Sequence, residues 1–440
     1  MPTFHIWTLG CQMNQADSLR LAAGLERTGY TPAEDPARAD FTVVNTCAVR
    51  QHAEDRAAGR LHALNQRRKR GETFQIAVMG CMVGPEGDSE RAALVRRFPW
   101  VDVWARPQEY DPILEAAGLA RDVSEGEFWT ETFGEPTGPT AYVPVVHGCD
   151  KFCTYCIVPL RRGRERSRPV AEVLGEVRFL AARGVREVTL LGQTVEAYGH
   201  DLEEPADLAT LFEGIEAIGG IARTRFLTSY PKDMTDRIID AVADLPKVCE
   251  HFNIPVQSGD DRMLERMRRG YTVAEYEERV ERIRSRMPDA AIATDVIVGC
   301  PGETDEEFAS TVALLERVGF DVIHVAAYSP RPRTFAYRKL ADDVPREVKK
   351  ARLKAVEAIH AESAGARNRA LLGETVEVLV ERDEDGRASG RTRGGRIVHF
   401  EGAGLVGELV DIEIAETTSW SLRGQRAGAR RGGDLLVNVV

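Results

Sequence analysis

The sequence predicts an α/β protein in which two runs of alternating strands and helices are followed by a small all-β barrel. In the first run, residues 1–117, the strands are continuous apolar segments, which indicates a doubly wound parallel sheet covered on both faces. The second run, residues 141–370, repeats the alternation six times, which suits a partial (βα)6 barrel. From residue 371 to residue 440, short strands separated by glycine turns indicate the all-β domain.

The first domain contains four predicted strand–helix units. Its helices are amphipathic or strongly polar. Residues 118–140 carry Gly, Pro, Ser and Thr without periodicity, which predicts a linker. The predicted strands cover residues 4–9, 41–46, 74–79 and 101–105, and the predicted helices cover about 14–27, 50–70, 86–97 and 109–117.

The second domain continues the alternation, and a long helix over about 345–370 leads from it to four short strands of the third domain. The predicted strands of the second domain cover residues 141–147, 186–192, 223–229, 251–257, 291–299 and 322–329. Its predicted helices lie near residues 170–183, 207–218, 233–243, 260–287 and 304–318.

Length and composition limit the classes of protein to which the chain can belong. Its 440 residues are 43% hydrophobic, enough for large cores, yet no apolar run approaches the ~20 residues that span a bilayer. The N-terminus lacks the basic and apolar regions of a signal peptide. Eight cysteines in such a chain indicate metal ligands or free thiols rather than disulfides, so we expect a cytoplasmic protein without membrane contact.

The segment VHGCDKFCTYCIVP, residues 146–159, is the strongest candidate for a reactive site. Cys149, Cys153 and Cys156 have C-x3-C-x2-C spacing, which can hold three irons of a [4Fe–4S] cluster and leave the fourth open for a small ligand. A zinc knuckle or reduced core thiols are the alternatives. Zinc sites usually contain a second Cys or His pair, and His147 stands in the wrong register to complete one.

Three further cysteines follow predicted strands of the first domain. Cys11, Cys47 and Cys81 each lie just past a strand end, preceded by Gly or Thr, at intervals of about one strand–helix unit. Because the carboxyl ends of parallel strands form the ligand crevice of a doubly wound sheet, the three thiols should meet at one edge. This pattern predicts a second cluster, with buried core cysteines as the alternative.

Polar residues near the ends of the barrel strands are candidates for lining the site. Active-site groups of a parallel barrel come from the carboxyl ends of its strands. The candidates are Gln193, Ser229, Gln257 and Asp295. Each of them could equally be a structural residue whose polar group is hydrogen-bonded within the protein.

The net charge of −11 argues against nucleic acid, yet arginines are concentrated locally. Residues 387–431 contain eight arginines, including Arg391, Arg393 and Arg396, against five acids, which indicates a module that contacts phosphates. A solvated β surface is the alternative. The run RRGRERSR, residues 161–168, follows the cysteine segment and could position an anionic backbone beside it.

Motifs along nearly the whole chain resemble those of the methylthiotransferase family. The N-terminal domain of that family is matched by TLGCQMNQADS, NTCAVRQHAEDRA and GCM. Its radical S-adenosylmethionine (SAM) core is matched by GCDKFCTYCIVPLRRGRERSR, HFNIPVQSG, RRGYT, TDVIVGCPGET and YSPRPRT, and its RNA-binding TRAM domain by GRTRGGRIVHFEG with SLRGQ. GCQMN, NTCAVR and CTYCIVP are most similar to the branch that modifies adenosine 37 of tRNA. Other branches modify threonylcarbamoyl-adenosine in tRNA or a ribosomal-protein aspartate.

This resemblance implies a transferase that converts N6-isopentenyladenosine at position 37 (i6A37) to its 2-methylthio derivative (ms2i6A). The implied steps are radical C–H activation at adenine C2, sulfur insertion and SAM-dependent methylation, with cofactors carrying the difficult chemistry. One [4Fe–4S] cluster on Cys149, Cys153 and Cys156 would bind SAM, an auxiliary [4Fe–4S] cluster would lie on the N-terminal cysteines, and two SAM molecules would be used per turnover.

The resemblance also implies partners. They are the tRNA anticodon stem-loop carrying i6A37, an electron donor such as flavodoxin or ferredoxin, and a sulfur donor or cluster-assembly protein. We expect the enzyme to act as a monomer.

Individual side chains receive expected roles from the same resemblance. Tyr155 should lie beside the adenine of SAM, with Gln193, Gln257 and Asp295 as further cofactor contacts, while the C-terminal arginines should contact RNA. The chain departs from the family pattern at four positions. These positions are Thr194, Glu196, Tyr230 and Cys300, where Cys300 stands in place of a phenylalanine of the family. We expect the departures to change only the detail of the substrate pocket and to leave the clusters untouched.

Overall fold

The structure, a computed structural model, describes residues 1–49, 51–118 and 136–428. Most of the predicted linker lies outside these residues, as do Arg50, at the predicted start of the second helix, and Arg430 and Arg431 of the arginine-rich segment. Within the described ranges, no helix is both long and apolar enough to cross a membrane.

The N-terminal domain is a five-stranded parallel sheet with helices on both faces. Its strands are β1 (Thr3–Thr8), β2 (Thr31–Pro32), β3 (Phe41–Thr46), β4 (Gln75–Gly80) and β5 (Val103–Ala105), and its helices are α1 (Gln12–Arg27), α2 (Gln51–Lys69), α3 (Ser89–Arg97) and α4 (Asp111–Ala116). The strand order is β2-β1-β3-β4-β5. All of β3 is buried, with Val43 in one core and Val44 in the other, because both faces are covered. The predicted doubly wound sheet is confirmed; only the two-residue strand β2 was not predicted.

The second domain is an open barrel surrounded by helices. Its strands are β6 (Thr140–Pro144), β7 (Val146–His147), β8 (Arg166–Ser167), β9 (Glu187–Leu191), β10 (Arg223–Leu227), β11 (His251–Asn253), β12 (Ala291–Val298) and β13 (Val322–Ala327). Its helices are α5 (Val158–Arg162), α6 (Val170–Ala181), α7 (Leu208–Glu216), α8 (Asp236–Asp244), α9 (Asp261–Arg266), α10 (Val273–Arg286), α11 (Asp305–Val318), α12 (Phe335–Lys339) and α13 (Arg346–Arg369). Strands β6, β9 and β10 form one half of the barrel and β11, β12 and β13 the other. A parallel bridge between Thr224 and Val248 joins the halves, which confirms the partial barrel.

Two predicted elements of the barrel are divided in the structure. The strand predicted over 141–147 separates into β6 and β7, because β7 leaves the barrel to pair antiparallel with β8. The helix predicted over 260–287 separates into α9 and α10. Arg268 has φ +57° between them, and Thr272 starts α10 with a capping box, so the chain reverses before the second helix begins.

The third domain is a closed barrel in the order β14-β15-β16-β18-β17. The helix α13 leads into it from the second domain. Four of its strands coincide with the predicted ones, and β18, which closes the barrel beside β16, was not predicted. The strands are β14 (Thr375–Glu384), β15 (Arg387–Thr392), β16 (Ile397–Glu401), β17 (Leu409–Thr417) and β18 (Leu422–Arg426).

A loop of the third domain, residues 391–396, fills the amino end of the open barrel. Arg225 of β10 donates to two carbonyl oxygens of this loop at 2.6 and 2.7 Å, and forms an ion pair with buried Glu187 at 2.9 Å. Arg223, whose side chain is fully buried, donates to a third loop carbonyl and to Glu377 of β14, each at 2.7 Å. The all-β domain is therefore fixed to the barrel end opposite the carboxyl ends of the strands.

Replacing Arg225 with methionine should loosen the third domain. The substitution removes two hydrogen bonds to the loop and leaves Glu187 buried, with Arg223 4.0 Å away. Breaking a buried ion pair in this way costs about 3 kcal/mol. We expect faster hydrogen exchange in β15 and β16 and cleavage near residue 372 in limited proteolysis. Arg387→Met, at the exposed start of β15, is the control, and equal protection in both variants would contradict the interface.

His251, at the start of β11, should make stability depend on pH. Burial lowers its pKa to about 3, assisted by the positive charges of Arg225, Arg396, His324 and Arg391. Its Nδ1 is buried and has no hydrogen-bond partner among the described residues. In the unfolded chain the ring binds a proton near pH 6.5, so unfolding takes up a proton between pH 3 and 6.5 and stability falls as the pH is lowered through this window.

The measurement compares denaturant unfolding at pH 7 and pH 5 for the native chain and His251→Gln. The loss of unfolding free energy on acidification should be smaller in the variant by up to about 2 kcal/mol, since each pH unit below the unfolded pKa contributes about 1.4 kcal/mol. Identical pH dependence in both proteins would show that His251 contributes nothing to it.

Candidate active site

The loop after β6 and β7 carries three cysteines, called the barrel triad below (Cys149, Cys153 and Cys156), at the carboxyl end of the barrel. The amide of Cys149 donates at 3.1 Å to the carbonyl of Gly163, the residue after α5, which closes the loop at its base. Gly148 has φ +76°, and a Cβ there would collide with the backbone of Arg164. A glycine before the first cysteine is therefore required for the close crossing of the two chain segments.

Two polar side chains contact the barrel triad. Oγ1 of Thr194, in the loop after β9, is 3.6 Å from Sγ of Cys149. Nη1 of Arg269 donates to Sγ of Cys153 at 3.2 Å, and its Nη2 donates to the carbonyl of Pro255 at 3.2 Å. The departure at Thr194 therefore contacts a predicted cluster ligand, and the expectation that it leaves the cluster untouched stays a prediction. Arg269 lies in the RRGYT motif, but no role was predicted for it, since its contact with the thiol depends on the turn between α9 and α10.

The other three cysteines, called the sheet triad (Cys11, Cys47 and Cys81), follow β1, β3 and β4, which are neighbours in the sheet. Because these parallel strands end at the same level, the structure brings their thiols to one edge. Gly10 has φ +133°, and a Cβ there would lie 2.9 Å from Oδ1 of Asn14 and 3.0 Å from the Cβ of Cys47. Only glycine allows Cys11 to approach the second cysteine in this way.

Two buried asparagines hold the strand ends of the sheet triad in place. Oδ1 of Asn14 accepts from Sγ of Cys11 at 3.3 Å, and its Nδ2 donates to Oδ1 of Asn45 and the carbonyl of Thr46, each at 2.9 Å. Nδ2 of Asn45 returns a hydrogen bond to the carbonyl of Asn14 at 2.8 Å. These residues belong to the GCQMN and NTC motifs, and their pairing depends on the fold rather than on spacing along the chain.

Burial raises the pKa of two thiols in each triad, Cys47 and Cys81 in the sheet triad and Cys149 and Cys156 in the barrel triad. The pKa of Cys47 is raised to about 11, by burial first and then by neighbouring Cys81. The pKa of Cys156 is raised to about 12, by burial first and then by Cys153. Thiolates at these positions therefore require a positive partner, as metal binding provides.

Within the described ranges, no three His, Cys, Asp or Glu side chains form a site for a single metal ion. A [4Fe–4S] cluster takes one cysteine thiolate for each iron. Each triad can accordingly hold three irons and leave the fourth without a cysteine.

The short helix α5 connects the two triads. It begins two residues after Cys156, and its last residue, Arg162, has a side chain only 2% exposed that pairs with Asp17 of α1 at 2.9 Å. Arg161 pairs with Glu90 at 2.6 Å. Both arginines belong to the RRGRERSR run, for which we predicted contact with an anionic backbone. They are buried in the interface with the N-terminal domain, so that prediction was wrong for them.

A cavity of about 190 Å³ opens at the carboxyl ends of β12 and β13, beside the barrel triad. Three of the four predicted cofactor contacts, Tyr155, Gln257 and Asp295, lie in its wall next to Cys156. Gln193 does not line it. The cavity thus joins an aromatic ring, an amide and a carboxyl group to one cysteine of the triad.

Gln257 and Gln193 have buried side-chain oxygen atoms without a hydrogen-bond partner in the described part of the chain. Gln257 also has φ +72°, a strained conformation of the kind that concentrates at functional sites. Buried acceptors without partners are available to donors of a ligand.

The remaining departures from the family pattern lie beneath the site. Glu196 is buried, its Oε2 accepts from the amide of Tyr230 at 3.1 Å, and burial raises its pKa to about 8. The hydroxyl of Tyr230 donates to the carbonyl of Arg269. Cys300 is buried in an apolar cluster with Met263 and Tyr328, and burial raises the pKa of its thiol, which agrees with its expected place as a phenylalanine replacement.

The arginines predicted to contact RNA are paired within the protein. Arg391 pairs with Glu381 at 2.9 Å on the surface of the third domain. Arg393 pairs with Glu250 at 2.7 Å and donates to carbonyls of the barrel. Arg396 pairs with Asp321 and donates to Asn368 at 3.0 Å. The last two fix the loop in the barrel, and their contact with RNA stays a prediction.

Three family models match successive parts of the chain. The model described as "Uncharacterized protein family UPF0004" matches residues 3–105, which contain the sheet triad. The model "Radical SAM superfamily" matches residues 143–315, which contain the barrel triad, and "TRAM domain" matches residues 369–426.

Solved structures show the same fold at low sequence identity. The radical S-adenosylmethionine methyltransferase TsrM of Kitasatospora setae superposes with a TM-score of 0.55 and is 15% identical; the match covers 90% of this chain and 82% of that one. At this identity the likeness concerns the fold alone.

Curated relatives match nearly the full length. A protein of Dehalococcoides mccartyi (strain CBDB1) is 46% identical over 426 residues, covering 96% of this chain and 98% of the relative. A protein of Chloroflexus aurantiacus is 44% identical over 426 residues, covering 96% and 91%. Both are named tRNA-2-methylthio-N(6)-dimethylallyladenosine synthase. With this identity over the whole chain, the protein belongs to the tRNA-2-methylthio-N(6)-dimethylallyladenosine synthase family.

Proposed function

We propose that this protein is a radical SAM methylthiotransferase that converts i6A37 of tRNA to ms2i6A. The observation that carries the proposal is the pair of cysteine triads on either side of α5. One triad lies beside a cavity lined by Tyr155, Gln257 and Asp295, and the other lies on the edge of a separate sheet. Relatives that match the chain from end to end bear the name of this activity.

The cofactors of the proposed enzyme are two [4Fe–4S] clusters and SAM, two molecules of which are used per turnover. When bound, the cluster on the barrel triad would supply the electron for SAM cleavage, and the auxiliary cluster on the sheet triad would hold the sulfur for insertion. In this proposal Asp295 binds the cationic end of SAM and Tyr155 packs against its adenine. Thr194 and Arg269 orient Cys149 and Cys153 through the contacts described above.

The division of labour among domains follows the same reasoning. Residues 1–117 hold the auxiliary cluster, residues 118–140 link it to the radical SAM core at 141–370, and residues 371–440 contact the anticodon stem-loop. Nucleotide 37 enters the site unstacked, as bases of single-stranded loops can. An electron donor such as flavodoxin or ferredoxin, and a sulfur donor or cluster-assembly protein, complete the set of proposed partners. We propose a cytoplasmic monomer.

Deletion of the gene should abolish ms2i6A and leave i6A in its place, since i6A is the proposed substrate and would no longer be consumed. Nucleosides from digested tRNA of the deletion strain, separated and identified by mass spectrometry, provide the measurement. Restoration by the intact gene, and no restoration by a Cys149→Ala gene, is the control.

Unchanged ms2i6A in the deletion strain would refute the proposed substrate. Loss of methylthiolated threonylcarbamoyl-adenosine, or of a methylthiolated ribosomal-protein aspartate, would assign the chain to one of the other branches.

Replacing the three cysteines of one triad by alanine, in two separate variants, tests each cluster by itself. Without the barrel triad, anaerobically reconstituted protein should retain about four irons and four sulfides per chain, because only the auxiliary cluster remains. It should lose SAM cleavage, because the cluster that binds SAM is absent. Without the sheet triad, iron and sulfide should also halve, but SAM cleavage under reducing conditions should persist while methylthiolation is lost. Cys300→Ala, a buried cysteine outside both triads, is the control and should keep full iron.

A fall of iron to zero on removal of the barrel triad alone would show that the N-terminal cysteines are structural. Full SAM cleavage by that variant would remove the assigned role of Cys149, Cys153 and Cys156.

A further inference from the structure

Arg162 holds a buried positive charge between the two triads. Its guanidinium pairs through Nη2 with Asp17, and the side chains are 2% and 0% exposed. Asp17 also accepts from the hydroxyl of Tyr110 at 3.3 Å. The pair therefore sits in a water-excluded layer at the junction of the sheet edge and the barrel.

The ion pair does not use the whole guanidinium. Nη1 of Arg162 is buried and has no hydrogen-bond partner of normal geometry in the described part of the chain. Buried donors without a partner are costly and rare in folded proteins, so this nitrogen is available to an acceptor that binds at the site.

The neighbours of this group are thiols. Asp17, the partner of Arg162, stands one turn of α1 after Asn14, whose Oδ1 accepts from Sγ of Cys11 at 3.3 Å. Burial raises the pKa of Cys81, and the positive charge of Arg162 lowers it. The buried cation thus lies within electrostatic reach of the sheet triad, although it belongs to the helix that follows the barrel triad.

We propose that Arg162 is a positioning residue for the auxiliary site: its buried Nη1 would donate to anionic sulfur at the sheet triad, and its charge would stabilise the reduced form of the cluster. This inference rests on the proposed function. It assigns to the radical SAM domain a direct contact with the sulfur-donating site of the N-terminal domain. The residue contacts no reacting atom of the adenosine.

The chemistry follows from charge. Reduction adds one electron to a cluster, and a nearby cation or hydrogen-bond donor to sulfur favours that form. Asp17 opposes this effect, because its carboxylate offsets part of the guanidinium charge. Removing Arg162 and removing Asp17 should therefore move the reduction potential in opposite directions.

The test uses the full-length chain with the barrel triad changed to alanine, so that only the auxiliary cluster is titrated. Anaerobic redox titration followed by electron paramagnetic resonance compares this parent with R162Q, R162K and D17N. R162Q should lower the reduced-to-oxidised ratio at a fixed potential about tenfold, the effect of a unit charge within roughly 10 Å. R162K should stay near the parent, and D17N should raise the ratio.

Arg161→Gln is the matched control, since Arg161 is the preceding residue of α5 and its guanidinium pairs with Glu90 instead. Its titration should match that of the parent. Circular dichroism and iron content show whether each variant is folded and loaded.

An iron-loaded R162Q that titrates like the parent would overturn the role of Arg162 and leave the proposed function intact. If R162Q retains no iron, D17N decides, because an unchanged ratio in that variant would also overturn it. A parent without iron would refute the auxiliary site itself, and with it this inference.

Discussion

The packing of α1 against α5 and the barrel mouth is the contact on which the site depends. Met13 and Ala16 of α1 pack against Leu191 at the end of β9, and the buried pair of Arg162 with Asp17 lies beside them. Charges are buried at this cost only where both partners are held in place, since an uncompensated ion in such an interior loses several kcal/mol of solvation. The contact therefore fixes the spacing of two cysteine sets that belong to separate domains.

General rules of parallel structure were sufficient to predict much of this arrangement. Continuous apolar strands predict a sheet covered on both faces, and the burial of Val43 and Val44 in opposite cores agrees with that. The meeting of Cys11, Cys47 and Cys81 at one edge follows because parallel strands in register end together. Where the chain changes direction, as between α9 and α10 or between β6 and β7, periodicity had no information about the turn.

The partners of charged residues were not predictable in the same way. An arginine-rich run has the same composition whether it contacts phosphate or carboxylates of another domain. Arg161 and Arg162 find Glu90 and Asp17, which lie far away along the chain, and Arg393 finds Glu250. For the same reason the contacts of Thr194 and Arg269 with thiols could be seen only in the folded protein. The strand ends that carry polar residues were predictable, but their directions were not, and so Tyr155, Gln257 and Asp295 line the cavity while Gln193 does not.

The loop of the third domain that fills the amino end of the barrel has a consequence for traffic through the site. With Arg223 and Arg225 binding that loop, the third domain covers the amino end of the barrel. The cavity beside Cys156 lies at the opposite, carboxyl end. A macromolecule bound over the carboxyl end would therefore cover the cavity, and the order in which large and small ligands bind and leave would follow from the architecture.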